Sequence, residues 1–301
     1  MAEYCIGTAQ FGIPYGIANQ SGQPDLHEID KIVKCAIENN IKYFDTAQSY
    51  GESEAVLGEA FSRLPESKKI RIISKLSPDL QKSSPTVIIE SVKSSLKKLN
   101  VKSLYGFLAH RVEPIKSDSF LTAIEILKNE ELVIKAGVSV YTPEEALSVI
   151  KQTEVDILQI PFNILDKRWF DKGIFEKAEE NNIQLFFRSI FLQGLIFLNE
   201  NELMSRKMDW AKTYLKEFND LVQETPFSPL ELAFGILTNV PGNNVIIMGL
   251  DSSNQLWENL KILEKINIDN KISDEWWLNL PVFPEKFLNP SLWNYSLLLL
   301  R

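Results

Sequence analysis

IKYFDTAQSYGESE, residues Ile41 to Glu54, opens as an apolar run and closes as a polar turn. Ile41, Tyr43 and Phe44 read as a buried strand that stops at a charged Asp45, and the phenol of Tyr50 follows beside Gly51. Ser49 and Glu52 have capping-box spacing, which predicts a helix beginning immediately after Tyr50. Asp45 and Tyr50 then share one rim. The pattern repeats twice downstream, where IRIISK ends in Lys75 and LYGFLAH ends in His110. Three successive strands would deliver a carboxylate, an ammonium and an imidazole to one edge. In a parallel α/β barrel the carboxyl ends of the strands share the face on which chemistry is kept.

Strand-like and helix-like runs alternate along the rest of the chain. Tyr4 to Thr8 is an apolar run broken by Gly7, with Gly12 and Gly16 punctuating the loop beyond. Between Asp25 and Asn40, Ile29, Ile32, Val33, Ala36 and Ile37 line one helical face. Helices are expected over Glu52 to Arg63 and from Pro85, Ser119 to Asn129, Pro143 to Lys151 and Asp171 to Asn182. The matching strands are Ile70 to Lys75, Leu104 to His110, Val133 to Ser139, Val155 to Ile160 and Ile183 to Ser189. A long connection of weaker pattern follows. Then come helix Leu230 to Leu237, strand Asn244 to Met248 and helix Asn254 to Ile266. Eight strands alternating with helices, with no linker between them, predict a single (β/α)8 barrel domain over residues 1–301. From Asp274 onward, Trp276, Trp277, Phe283, Phe287 and Trp293 among prolines read as an irregular tail, 274–301, packed over one end.

Composition narrows the function classes. The 301 residues are 45% apolar, enough for a full core, and 32 basic against 40 acidic residues leave a net charge of -8. That balance opposes binding to a phosphate backbone, so nucleic acid is not an expected partner. Cys5 and Cys35 form no C-x-x-C motif or paired framework, as in a reducing cytoplasm. MAEYCIGTAQFG lacks the basic and apolar regions of a secretory leader, and no apolar run, Leu297 to Leu300 included, approaches a bilayer span. A cytoplasmic protein without membrane contact is expected. No heptad or sticky edge indicates an oligomeric state.

The rim residues suggest a reaction. A phenol with pKa near 10 transfers protons poorly at neutral pH, and a nearby ammonium lowers it. Lys75 would do this for Tyr50, with Asp45 holding the lysine and His110 bonding a carbonyl oxygen. The set supplies no electron pair of its own, so it needs a hydride donor.

IGTAQFG, FDTAQSYGESE, the strand-end Lys75 and the strand-end His110 together resemble the aldo/keto reductase family over nearly the whole chain. The resemblance implies a catalytic tetrad of Asp45, Tyr50, Lys75 and His110, in which Tyr50 protonates the carbonyl as hydride leaves a reduced nicotinamide. It also implies a dinucleotide, NADPH or NADH, extended across the barrel mouth and a small-molecule carbonyl substrate. Gly7 and Thr8 become candidate cofactor contacts through the same register. Ser139 in GVSV and Gln159 in LQIPFN match the residues that hold the carboxamide, although Val140 stands where the family has Asn. RSIFLQG matches a Y-S-P-L-x-x-G segment, which puts Ser189 by the pyrophosphate and Arg188 where an aromatic ring stacks on the nicotinamide. A guanidinium can stack too, and its charge would favour the reduced ring. IMGLDSSNQLWENL implies phosphate contacts from Gly249 and Ser252 and adenine contacts from Glu258 and Asn259. No Lys or Arg lies between Val245 and Trp257, and Asp251 has the sign that suits a ribose 2′-hydroxyl. Arg206 and Lys207 could supply charge from the long connection, leaving NADPH and NADH both open.

Two other functions compete with carbonyl reduction. Val140 and Arg188 would suit a regulatory protein that binds cofactor with little turnover. A metal- or carboxylate-dependent barrel hydrolase is disfavoured, because no His/Asp/Glu cluster has metal-ligand spacing.

Overall fold

The computed structural model describes residues 2–64, 69–152, 155–269, 277 and 279–293. Its strands are β1 (Glu3–Gly7), β2 (Tyr43–Asp45), β3 (Arg71–Lys75), β4 (Leu104–Ala109), β5 (Val133–Ser139), β6 (Ile157–Pro161), β7 (Gln184–Arg188) and β8 (Asn244–Gly249). They pair in parallel in sequence order, and β8 returns to pair with β1, which closes the barrel. Outside it run α1 (Leu26–Glu38), α2 (Ser53–Arg63), α3 (Pro85–Leu99), α4 (Asp118–Asn129), α5 (Pro143–Gln152), α6 (Ile174–Glu180), α7 (Lys212–Gln223), α8 (Pro229–Asn239) and α9 (Ser253–Asp269). This is the (β/α)8 architecture expected from the alternating runs.

The two-residue period of a strand explains where the polar rim comes from. Cys5, Tyr43, Ile73, Leu108, Ile157, Phe186 and Ile247 form the core inside the barrel, while neighbours such as Ile6, Phe44, Ile72 and Phe107 join the core outside it. One period beyond that inner ring come Gly7, Asp45, Lys75, His110, Gln159, Arg188 and Gly249. The sequence thus switches from apolar to polar at the same height around the barrel. At the opposite end, Arg71 packs over the rings of Tyr43 and Tyr105 at 5.2 and 5.1 Å and donates to the Tyr43 hydroxyl. Tyr43 in turn donates to Glu3 (3.0 Å), and Tyr105 and Lys135 both donate to Gln184 Oε1. This layer floors the barrel.

Two expectations about local structure are corrected. Ser49 and Glu52 form no capping box: α2 starts at Ser53 with Glu52 at its N-cap and no side-chain cap. Backbone bonds do that work, with Ser53 N–H donating to the Tyr50 carbonyl and Val56 N–H to that of Glu52. The long connection after β7 also contains a full helix, α7, whose Leu215, Phe218 and Val222 are buried. Tyr214 on α7 meets Phe283 and Phe287 of the tail, and Trp277 donates to the Ile164 carbonyl at 2.8 Å. Trp276, the start of the tail at Asp274 and residues 294–301 lie outside the described residues. No helix among the described residues is long and apolar enough to cross a membrane.

Gly58 sets how closely α2 approaches α3. A Cβ there would lie 2.0 Å from the Lys98 carbonyl oxygen, a backbone atom that cannot swing aside. Helix propensity favours Ala over Gly by about 1 kcal/mol, but overpacking costs about 1–3 kcal/mol. Gly58→Ala is therefore expected to lower the urea-unfolding free energy, and an increase would show that the helix pair yields more easily than its packing indicates.

Candidate active site

Asp45, at the end of β2, sits in register with Gly7 of β1 on one side and Ile73 of β3 on the other. Lys75 reaches it from the end of β3. Its ammonium donates to both Asp45 oxygens at 2.8 and 2.7 Å and to the Thr46 carbonyl at 2.8 Å. Lys75 is only 1% exposed, so all three ammonium protons are matched inside the protein. Gln159, in the middle of β6, donates its amide to Asp45 Oδ1 at 2.8 Å.

Tyr50 stands above this pair. Gly12 and Gly51 pack against each other at its base: a Cβ on Gly12 would fall 1.7 Å from the Tyr50 carbonyl, and one on Gly51 2.4 Å from the Gly12 carbonyl. Gly51 also needs its positive φ of 53°. Lys75 Nζ lies 5.1 Å from the centroid of the Tyr50 ring, and the His110 ring stands edge-on to it at 6.2 Å. The four residues expected to share a rim are thus brought together.

The expected acidification of Tyr50 is corrected. Burial and the Asp45 carboxylate hold its phenol well above the usual tyrosine range, with Arg188 pulling the other way. All three Lys75 protons are engaged, two by Asp45 and one by the Thr46 carbonyl. His110 is pushed down to about 3, first by burial and then by Lys75, Arg188 and Arg111. It is a neutral imidazole, and its buried Nδ1 has no hydrogen-bond partner.

These groups open onto a cavity of about 590 Å³, within the range of small-molecule sites. Asp45, Tyr50, His110, Gly7, Thr8, Ser139, Gln159, Arg188 and Ser189 all line it. Further along, so do Gly249, Asp251, Glu258 and Asn259. Two expected residues do not reach the wall. Lys75 lies behind Asp45, and Ser252 accepts from Gln255 N–H at the start of α9. Thr8 lines the wall but spends its hydroxyl on the Asp45 carbonyl (3.0 Å) and on Ser53 (2.8 Å). Gln159 Oε1 is buried without a partner. Arg188 donates to Ser139 Oγ, Ser189 Oγ and the Val140 carbonyl, and packs over the Tyr141 ring at 4.4 Å. Tyr141 of this chain thus packs against its guanidinium.

Sequence reasoning missed Tyr15, Tyr141, Asn19 and Gln193, which also line the cavity. They arrive on loops. Gln193 donates to the Tyr15 hydroxyl at 3.2 Å, Ala18 N–H donates to the Gln193 carbonyl, and Asn19 donates to Asp251 Oδ1 at 3.1 Å. The loop after β1 is thus clasped to the loop after β7, where Ser189, Leu192, Gln193 and Gly194 all have positive φ. Asn289, Pro290 and Ser291 bring the tail to the cavity as well. The aromatic residues of FGIPYG and GVSVY were the available signal.

The aldo/keto reductase family model matches residues 3–276. Among solved structures, an aldo-keto reductase from Bacillus halodurans in its holo form superposes with a TM-score of 0.68 at 19% identity, covering 96% of this chain and 92% of that one. A thermostable aldo-keto reductase solved with the inhibitor epalrestat gives 0.66 at 21%, covering 93% and 94%. A putative aldo-keto reductase from Pseudomonas aeruginosa gives 0.64 at 20%, covering 88% and 90%. At such identities the likeness carries the fold. No curated protein matches the sequence.

His110 also gives the site a pH signature. Its value in the folded chain lies below the ordinary 6.5, so between about 6.5 and about 3 the unfolded chain holds the extra proton. Stability is therefore lost as pH falls through that window. The urea midpoint is expected to drop between about pH 7 and about pH 5, above the carboxylate range, and His110→Gln is expected to flatten that drop. An identical slope in the variant would place the proton elsewhere.

Proposed function

The chain belongs to the aldo/keto reductase family, and on that footing we propose that it reduces an aldehyde or ketone to an alcohol with hydride from a reduced nicotinamide dinucleotide. The observation that carries this reading is a neutral phenol on the cavity wall, above a buried Lys75–Asp45 pair and beside a neutral imidazole. The residues present fit the cofactor. Gln159 Oε1 is a buried acceptor awaiting a donor, which a carboxamide N–H provides. Gly249 leaves the wall bare, where a Cβ would crowd Gln10 at 2.9 Å.

The nicotinamide, when bound, supplies the hydride. Tyr50 Oη holds the proton at neutral pH and gives it to the carbonyl oxygen, because a developing alkoxide is more basic than a phenolate. Lys75 under the ring stabilises the phenolate as it forms, and Asp45 fixes the lysine there. A neutral His110 offers an N–H to the same carbonyl oxygen, orienting it without competing for the proton. The clasped loops after β1 and β7 narrow the mouth and help exclude water. Two buried thiols, Cys5 and Cys35, suit a reducing cytoplasm.

The cofactor is further proposed to be NADH. Among the described residues, the wall near α9 carries Asp251 and Glu258 and no cation, and burial pushes the Asp251 carboxyl up. Arg206, which could have supplied charge, donates to the Ile17 carbonyl at 2.6 Å and to that of Glu202, and neither it nor Lys207 lines the cavity. A 2′-phosphate would face like charge.

In tryptophan-fluorescence titrations the Kd for NADH is expected to be on the order of tenfold or more below that for NADPH. Equal constants would return the question to both cofactors. Tyr50→Phe is expected to lower kcat for aldehyde reduction by about a thousandfold or more while the NADH Kd stays nearly constant. Unchanged turnover would remove Tyr50 from the reaction. NADH binding with no reduction of any aldehyde, by the wild-type protein, would instead select the regulatory reading.

A further inference from the structure

The cavity is polarised. Its α9 end carries Asp251 and Glu258, whereas its reacting end carries Arg188, with Arg111 beside it. In a chain of net charge -8, carboxylates are plentiful, and Arg63 and Arg168 pair with Asp30 and Asp166. No such pair engages Arg111 or Arg188 among the described residues. Arg188 is fastened by neutral acceptors alone, two hydroxyls and a carbonyl. Arg111 directly follows His110, is exposed, and lies over the Tyr141 ring at 4.3 Å, the same ring that Arg188 packs on at 4.4 Å. After burial and Lys75, both arginines also push the neighbouring His110 down.

The position of Arg111 separates it from the dinucleotide's adenosine end. It rises with Tyr141 from the β4–β5 side of the barrel, across from β8 and β1, where Gly249, Asp251 and Asn259 sit. Arg188, fastened on the cavity wall, and Arg111, exposed just beyond that wall, share one phenol with no carboxylate paired to either among the described residues, and together form a recognition element for carboxylate or phosphate oxygens.

We propose that the carbonyl compound reduced here bears an anionic group, a carboxylate or a phosphate ester, held by Arg111 and Arg188 beside Tyr141 while its carbonyl oxygen meets Tyr50 and His110. This deepens the reductase reading and rests on it for the word carbonyl, but the anion site is testable without turnover.

Calorimetric titration of the NADH-loaded protein with benzoate, phenyl phosphate and benzamide is the binding test. At least one anion is expected to bind about tenfold or more tighter than the neutral amide, and comparing the two anions tells carboxylate from phosphate. Arg111→Gln is expected to cut the anion-to-amide ratio about tenfold, the size of one charge-assisted hydrogen bond, and Arg111→Lys to keep part of it. The kinetic arm compares kcat/KM for 4-carboxybenzaldehyde and 4-formylphenyl phosphate with that for 4-carbamoylbenzaldehyde, in the same variants. Equal treatment of charged and neutral aldehydes, or a ratio unmoved in Arg111→Gln, overturns the anion site and leaves the reductase reading standing. A loss confined to NADH affinity overturns it too, by assigning the arginine to the cofactor's phosphates. Arg111-dependent anion binding with no aldehyde reduced by any protein form supports the anion site and overturns the reductase reading.

Discussion

A buried ion pair governs this structure. Removing Lys75 and Asp45 from water costs several kcal/mol for each ion, and their mutual attraction offsets this only if every remaining donor and acceptor is matched. Here the match is complete on the lysine side, with two bonds to the carboxylate and one to the Thr46 carbonyl, and Gln159 adds a third donor to Asp45. The network spans β2, β3 and β6, so it fixes strands on different sides of the barrel in one arrangement. Burial first, and then the Asp45 carboxylate of this pair, keep the Tyr50 phenol protonated.

The barrel floor solves a similar problem with different materials. There the cations lie on aromatic faces, Arg71 on Tyr43 and Tyr105 and Lys135 on Tyr105, while the tyrosine hydroxyls connect to Glu3 and Gln184. A guanidinium on a π face keeps partial access to solvent and needs little burial of charge. The floor is therefore a closure, and the rim, with its enclosed charges, is where the field is concentrated. Buried apolar side chains, among them Cys5, Ile73, Leu108, Ile157, Phe186 and Ile247, fill the barrel between the two layers.

Most of the architecture was legible because strand burial and strand order are written in local patterns. Asp45, Lys75 and His110 each follow an inward-facing apolar residue by two positions, and that parity alone aims them at the mouth. What was not legible came from contacts between distant segments. Helix α7 was read as a weak pattern because its apolar stripe, Leu215, Phe218 and Val222, is diluted by charged residues, and part of its surface packs on the tail. Ser49 and Glu52 had the right spacing for a cap, but a tight turn held by Gly12 and Gly51 met the need through backbone bonds. Tyr15 and Tyr141 were announced only by their aromatic character within FGIPYG and GVSVY, since loops that no periodicity describes deliver them. The proton-bearing Tyr50 was legible, but the direction in which its acidity is shifted was not, because burial, the largest cause, depends on packing by distant segments.

The loop after β7 has a further property. Ser189, Leu192 and Gln193 hold φ values of 56, 47 and 56°, a left-handed backbone that costs a side-chain-bearing residue roughly 1–2 kcal/mol. Gly194, at 89°, escapes that cost, and a Cβ there would strike Ala18 at 2.4 Å. The bonds with Tyr15 and Ala18 of the opposing loop hold the segment in this backbone. The outline of the mouth on this side therefore depends on contacts between two segments 178 residues apart in the chain.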